Sequence, residues 1–578
     1  MSTPCPCPVP GLNRYYVGNN ALLKKQLAII NGRRPVLLPV SVTTTELSFP
    51  HFNASFTKGL LHDAITGSLV NDADFQNMVW NLIHNRQLLF SQLPLAPNST
   101  ALLVDPFGAL ATCLMGADQA ALTLCIPPLL SSAAGAAEMV ELYAQMLTRD
   151  VPFNEYALSP DIANMIGFLN DPLVLANLPD PPSGGSINPQ NIFRGTFPGC
   201  EIGPYLSQLM WLNVPLGAVT VNPVSLTYPT KAQAIVEGLR VEWGVNNQEV
   251  ILAENGQLTT FPPVPTVAQE TYKYLYAGRN LAEAVHQDAS IYFYYCAANI
   301  LAALNVPWNP TLPSAPNQSN FFTCGSGNAV QHSLAEVCSL ALKHAWNWKW
   351  NQYRKLRPEV FGLWIDNVQQ GRVQNTGNYN INPLIFQNGI LDAVQIANGL
   401  WGFPTSSTLS STFREMSPAH PSYPSGHSVV AGACCTILKL FFNADTVWTA
   451  ISGLQASTLN RRILPSPVTG PVIQANADGS SLETYVGTDQ SQMTVGSEIN
   501  KLGINVAIGR DWAGIHYRTD GMEGMKLGEQ VAIGYFADLL SSWVQNNVDG
   551  TIPRVQFRKL DGTIQVIVPT ISSAVPQQ

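Results

Sequence analysis

The 578-residue sequence predicts a mainly α-helical protein, built around a helical bundle with a minor C-terminal β-hairpin. Three observations carry that expectation. Apolar residues recur three and four apart along several stretches, the period of a helix with one buried face. The apolar run at residues 429–442 follows a Pro-Ser-Gly sequence suited to starting a helix, and it is too short, with Lys439 inside it, to span a membrane. Close to the C-terminus, Asp561-Gly562 sits between two β-prone segments.

In chain order, residues 74–93 set Phe75, Met78, Val79, Leu82, Ile83 and Phe90 on one helical face. Residues 132–148 repeat the pattern with Met139, Val140, Leu142, Tyr143, Met146 and Leu147. Pro, Gly, Asn and Ser crowd residues 179–229, which read as loop with short elements. Residues 1–265 thus form an N-terminal helical and loop-rich region with no titratable constellation and a structural task. Residues 266–578 read as the helical-bundle region, with the C-terminal hairpin, that carries the candidate catalytic residues named below; one compact body is expected for the two, with a separate helical layer for the first half as the alternative. Within residues 280–304, a core-facing stripe of Leu281, Val285, Asp288, Tyr292 and Tyr295 is expected. A carboxylate on such a stripe needs a partner, and an arginine or histidine is the natural one for Asp288. Residues 464–495 read as a turn-rich insertion. Residues 555–560 and 563–568 read as the strands of the terminal hairpin, placed to cover a neighbour.

Chemistry concentrates in three segments. In HPSYPSGH, from His420 to His427, Pro424 fits the start of a helix, and Ser425 and Gly426 leave backbone N–H groups unpaired at its positive end. Such a turn suits a tetrahedral oxyanion. In WNWKWNQYRKLRPE, Lys349 and Arg357 lie eight residues apart, and Pro358 should leave Arg357 at the end of the helix that carries Lys349. In GRDWAGIHYRTDG, Asp520 follows His516 by four residues and can support its ring if the segment is helical, while Arg510 converges across a Gly514 bend. Singly, these read as well as a capped core helix, a surface basic cluster and a satisfied histidine. Together they supply three cations, an N–H turn and two imidazoles, the inventory of a phosphate-like pocket.

Composition narrows the function. Only 12% of residues are charged against 46% hydrophobic, so much of the surface should be uncharged or covered by other subunits. A formal charge of −8 argues against a nucleic-acid partner. The opening MSTPCPCPVPGLNRYY lacks the features of a secretory leader, so a cytoplasmic place is expected over secretion. Ten cysteines are too sparse for a disulfide scaffold; Cys5 and Cys7 are best placed to cross-link, and Cys434 and Cys435 read as packing.

The order Lys349…Arg357-Pro358, then Pro424-Ser425-Gly426-His427, then Arg510…Gly514-x-His516-x-x-x-Asp520 resembles the three-part signature shared by vanadium-dependent haloperoxidases and the acid and lipid phosphatases of the same superfamily. The likeness covers residues 270–545. The eight-residue spacing, His420 and the chain length resemble the red-algal and cyanobacterial bromoperoxidase branch. That resemblance implies the helical-bundle fold of this superfamily and a vanadate cofactor bonded through His516. Lys349, Arg357 and Arg510 would neutralise its oxygens, with hydrogen bonds from the Ser425 hydroxyl and the Gly426 N–H. His427 would act as general acid–base with Asp288 bracing it, and Lys349 would polarise the oxidant. Hydrogen peroxide and bromide would be the substrates, vanadium a Lewis acid kept at its highest oxidation state, and small organic acceptors the halogenated products' source. A homo-oligomer, dimer-based and up to a dodecamer, is also implied; a structural divalent cation is left open.

His420 matches the bromoperoxidase pattern, whereas Trp346, where algal enzymes have arginine, resembles the fungal chloroperoxidase. This mixed pocket predicts bromide and iodide oxidation with slower chloride turnover. Trp346 reads equally well as a core aromatic beside Trp348 and Trp350. Two other functions fit the same inventory: a soluble acid phosphatase working through a phosphohistidine at His516, and a non-catalytic phosphate- or oxyanion-binding protein. Simple binding needs no acid–base imidazole, which weighs against the latter.

Overall fold

The computed structural model describes residues 42–569 apart from 85, 112, 120, 258–270, 287, 314–326, 377–379, 456–467, 469 and 543–552. Helix α1 (Asp72–Ile83) is started by the Asn71 side chain, which accepts the Ala73 N–H, and buries Phe75, Met78, Val79 and Leu82. It does not continue to Leu93. The Trp80 carbonyl is taken by both the amide and the ring of His84, and a separate turn, Gln87–Phe90, follows. Helix α2 (Ala133–Thr148) begins at Ser132, as its period predicts, and is buried almost all round, Glu138, Glu141 and Gln145 included.

The single helix expected over residues 280–304 is two, α3 (Gly278–Ala284) and α4 (Tyr292–Ala303). Helix α3 ends at its C-cap Val285, whose carbonyl is left to accept a hydrogen bond from Arg510. Asp288 therefore sits in a connecting loop instead of on a helical stripe; Leu281 and Val285 are buried, but Tyr292 and Tyr295 are exposed.

Helix α5 (Asn328–Trp346) widens into a π-turn, Asn347–Tyr353, in which the Arg354 N–H reaches the Lys349 carbonyl five residues back at 3.0 Å. Arg354, at a positive φ of 36°, ends the turn and is held there by the Glu46 carboxylate at 2.8 and 2.7 Å. Pro358 then occupies the first position of α6 (Pro358–Gln369), with Arg357 as its extended N-cap. Arg357 thus starts a new helix instead of closing the one that carries Lys349, because proline can open a helix as well as end one. Helix α7 (Gly426–Phe441) has Ser425 as its N-cap, its side chain accepting from the Ser428 N–H; Pro424 precedes the cap and is not the first helical residue. Helices α8 (Val495–Trp512) and α9 (Arg518–Ser542) are joined by a turn through Gly514, whose φ is +81°.

The bundle is held by a backbone-close seam between α7 and α9. A Cβ on Gly432 would lie 2.0 Å from the Met525 carbonyl oxygen, and one on Gly528 2.1 Å from that of Val429. The seam leads directly to the start of α7, where the Ser425 N–H donates to the Asp520 carbonyl at 3.0 Å. One continuous buried cluster runs from Phe49 and α2 through the bundle to the terminal hairpin. The first half is joined to that body: Arg149 Nε donates to the Trp512 carbonyl at 2.7 Å, and the Tyr143 hydroxyl to Ser407 O at 2.7 Å. A second cluster packs α1 with Phe56 and Trp350 behind the π-turn.

Strands are short and paired two by two among the described residues. In the loop-rich stretch, β1 (Val214–Leu216) pairs with β2 (Val219–Val221), and β3 (Ser225–Thr227) with β4 (Thr271–Lys273). The insertion before α8 carries β5 (Ile473–Ala475) and β6 (Leu482–Thr484). The terminal hairpin, β7 (Val555–Arg558) with β8 (Ile564–Ile567), is shorter than its sequence signal because residues 559–563 form the turn. It folds onto its own bundle, with the Lys439 ammonium of α7 5.7 Å from the Phe557 ring. Cys434 and Cys435 are buried free thiols, and Cys5 and Cys7 lie outside the described residues. No described helix is long and apolar enough to cross a membrane.

The seam gives a direct test. Gly528→Ala must push two backbones apart and should cost at least about 1–3 kcal/mol, read as a lower urea midpoint. Gly167→Ala, in a helix where a Cβ meets nothing within 4 Å, should instead be neutral or stabilising by up to about 1 kcal/mol.

Candidate active site

Helix ends aim the functional side chains at one another. The π-turn carries Lys349, fully buried, with its ammonium donating to the carbonyls of Pro421 and Ser422 at 2.7 Å each. From the N-cap of α6, Arg357 donates through Nε to His420 O at 2.9 Å and through Nη1 to Ile515 O at 2.8 Å. Its Nη1 also lies 3.1 Å from His516 Nε2 and its Nη2 3.0 Å from His420 Nδ1. Arg510, in the last turn of α8, donates to Val285 O and lies over the Phe413 ring at 5.6 Å. Its buried Nε has no hydrogen-bond acceptor among the described residues.

His516 follows the Gly514 turn. Its Nδ1 is 2.8 Å from Asp520 Oδ2, so Nδ1 carries the proton and the Nε2 lone pair faces Arg357. The two residues do not share a helix, as the spacing had suggested: Asp520 is in the first turn of α9, and the same carboxylate oxygen accepts the Tyr517 N–H at 3.3 Å. The Ser422 hydroxyl also donates to Asp520, and the Lys355 ammonium lies 3.4 Å from it.

At the start of α7 the Ser425 N–H, expected to be open to an anion, is taken by Asp520 O. What this end offers is the Ser425 hydroxyl and the amides of Gly426 and His427, the Ser428 N–H being taken by the Ser425 side chain. A Cβ at Gly426 would stand 3.1 Å from the Trp346 ring, so a larger residue here would have to shift that ring. That ring in turn lies 5.0 Å from the His420 ring, tilted by 43°. His427 Nε2 is 2.8 Å from Asp288 Oδ1; the aspartate is buried, and about a quarter (24%) of the His427 side chain is exposed.

Burial and like charge shape the electrostatics. The Lys349 ammonium is pushed well below its usual range by burial first and then by Arg357. Burial, followed for Arg510 by Arg357, holds the Arg357 and Arg510 guanidiniums down to about 10. His516 and His420 are driven well below the ordinary imidazole range by burial and by the surrounding cations, so both rings are neutral at pH 7. His427 is lowered by burial and then Arg510, with Asp288 opposing. A bound oxyanion offsets the like-charge part of these penalties for all three cations at once. The donors fit such a group: cationic N–H groups, an unpartnered Arg510 Nε, a hydroxyl, helix-end amides and one imidazole lone pair.

The fold thus gathers Lys349, Arg357, His420, Ser425, Gly426, Arg510 and His516, with the Asp288–His427 pair within electrostatic reach of Arg510 and Lys349. Sequence reasoning missed Lys355 and Ser422, although both lie inside the stretches it singled out. It also missed α2, where Glu138 accepts the Thr519 N–H at 2.6 Å and stands 3.8 Å from Lys355, and Glu141 pairs with Arg518 at 2.9 Å. The first half therefore supplies titratable groups behind the site. Two glutamates three apart on an otherwise apolar helix were the available signal.

Comparison with known proteins agrees with this geometry. Residues 404–545 match the family model described as the VCPO second helical-bundle domain. A vanadium-dependent bromoperoxidase of Corallina pilulifera is 32% identical over 559 residues, covering 86% of this chain and 89% of its own. One from Ascophyllum nodosum is 30% identical over 501 residues, covering 83% and 81%. In fold, the chain is similar to the second vanadate-dependent bromoperoxidase of Ascophyllum nodosum, solved as a homohexamer, with a TM-score of 0.81 at 24% identity, covering 98% of this chain and 94% of that one. Identity at this level across most of both chains places this protein in the vanadium-dependent bromoperoxidase family.

Proposed function

We propose that this protein uses hydrogen peroxide to oxidise bromide and iodide, and chloride more slowly, to hypohalous acid that halogenates small organic acceptors. The observation that carries this reading is the His516 ring, fixed by Asp520 so that its Nε2 lone pair faces a buried cluster of cations. Vanadate held there by His516, Lys349, Arg357, Arg510, Ser425 and Gly426 would supply a Lewis-acid centre for peroxide. Asp520 sets the tautomer of His516. Lys349, anchored on two carbonyls, holds its ammonium in the pocket to polarise a bound oxidant. With Nε2 turned to Asp288, His427 has Nδ1 available to take a proton from, or return one to, a peroxide oxygen. His420, kept neutral by burial and then by its cationic neighbours, sets its Nδ1 3.0 Å from Arg357 Nη2 and 3.1 Å from Pro421 O beside that guanidinium, and Trp346 closes this wall of the pocket.

The chain also acts as a homo-oligomer on this reading. Support comes from the hexameric fold neighbour and from large apolar side chains left in water, among them Leu102 at 77% and Ile126 at 79% exposure.

Metal-stripped protein given peroxide, bromide and a phenolic dye should brominate only after vanadate is added, with phosphate competing. His516→Ala should lower that rate by more than the roughly 100-fold that loss of a supporting group costs. Hydrolysis of an aryl phosphate, blocked by vanadate and without bromination, would assign the phosphatase function instead.

A second test concerns His427. Asp288 is the group that raises its pKa against burial and Arg510, so Asp288→Asn should lower it further. Titration of the His427 ring by NMR in vanadate-free protein should show the midpoint moving down; an upward shift would contradict the assigned pairing.

A further inference from the structure

The loop between α3 and α4 touches the site twice. Val285 O receives Arg510, and Asp288 holds His427 at 2.8 Å. Residue 286, between these two contacts, is fastened outward. His286 Nε2 lies 2.5 Å from Glu415 Oε1, and its Nδ1 lies 3.5 Å from Glu283 Oε1. The imidazole stacks on Phe413 with centroids 3.6 Å apart and planes 7° from parallel. Phe413 is the ring that also carries the Arg510 guanidinium, so one aromatic side chain couples His286 to a cation of the site.

The segment that grips His286 is itself fixed. Ser411 exchanges backbone hydrogen bonds with Trp243 at 2.9 and 2.8 Å, and Lys58 donates to the carbonyls of Glu415 and Ser417 at 2.9 and 2.7 Å. We propose that His286 is a positioning residue for this active site: clamped between Glu415 and Glu283 against Phe413, it fixes the loop that sets Asp288 on His427 and Val285 on Arg510. The inference rests on the reading of His427 and Arg510 as site residues.

The chemistry of the clamp favours a strong hold. A doubly partnered imidazolium makes charge-assisted bonds, and stacking adds direction that a single ion pair lacks. Burial pulls the His286 pKa down, but the hydrogen bonds and charges of Glu283 and Glu415 outweigh it and leave it at about 9, so the clamp is charged across the neutral range. Arg510 faces the ring from behind Phe413, Lys58 binds the Glu415 backbone, and Arg240, Arg279 and Arg414 line the cavity of about 240 Å³ on the open side. His286 borders that cavity and is not enclosed in apolar core, so its task is to hold a backbone in place more than to fill space.

The experiment compares wild type, His286→Gln, Glu415→Gln, Asp288→Asn and the His286→Gln/Asp288→Asn double variant, with histidine rings isotopically labelled. In vanadate-free protein, both clamp variants should move the His427 midpoint in the direction taken by Asp288→Asn, by up to about one pH unit. In vanadate-loaded protein, His286→Gln should lower kcat/KM for bromide about tenfold, and the double variant should be no worse than Asp288→Asn alone. Glu415 is 44% exposed in its side chain, so Glu415→Gln keeps the test open if the His286 variant does not fold. An unchanged His427 midpoint in folded clamp variants, or fully additive losses in the double variant, would overturn the proposal. Since the ring titration needs neither vanadate nor turnover, it decides the clamp even if wild-type protein fails to brominate.

Discussion

Three cations buried together repel, and the way this chain tolerates Lys349, Arg357 and Arg510 governs the rest of its architecture. Elsewhere in the core, four buried arginines are matched by carboxylates, Arg149 by Glu242, Arg279 by Asp150 and Glu242, Arg354 by Glu46 and Arg518 by Glu141, while Arg194 is held by the carbonyls of Cys200, Gly203 and Pro204. The site follows the second pattern. Among the described residues, the hydrogen bonds of its three cations go to backbone carbonyls and imidazoles, and the carboxylates near them, Glu359 and Asp520 for Arg357 and Asp288 for Arg510, act through space or through His516. Carbonyl dipoles satisfy N–H groups without cancelling their charge, so the positive potential stays available to an oxyanion.

Carbonyls free to serve in this way lie outside helices: those of His420, Pro421 and Ser422 in the loop before α7, Ile515 in the turn between α8 and α9, and Val285 just after α3. The π-turn after α5, the N-cap of α6, the start of α7 and the turn between α8 and α9 each expose backbone groups that an unbroken helix would consume. The break between α3 and α4 belongs to the same scheme, since the carbonyl that α3 gives up at Val285 is the one that Arg510 needs.

The identity of the pocket residues was legible because each lies in a short local pattern: Lys349 and Arg357 near a proline, Ser425 to His427 before an apolar run, His516 four residues before Asp520. Helix α2 was legible to its first residue through Ser132 and its apolar period. Backbone paths were harder to read. Pro358 is compatible with either end of a helix, and only the left-handed Arg354, held by Glu46 from more than 300 positions away, settles which. The carbonyl freed at the Val285 break is used by Arg510, more than 200 positions later, a partner that no local period could announce. The Glu138 contact with Thr519 and the Glu415 and Phe413 contacts of His286 were hidden for the same reason: these partners are distant in sequence and, for Thr519, a backbone amide.

The glycine seam has a further consequence for how such a pocket can diversify. One wall is made of main chain, where α7 and α9 meet at Gly432 and Gly528 and the start of α7 is tied to Asp520. The opposite wall is made of side chains, Trp346 and His420, and behind Trp346 lies a cavity of about 530 Å³ lined by Val104, Leu342 and Cys338. The pocket therefore works as a vice with one fixed jaw and one replaceable jaw. A lineage descended from it can exchange Trp346 while His420, which bears on Arg357, and the main-chain jaw keep the grip on the oxyanion.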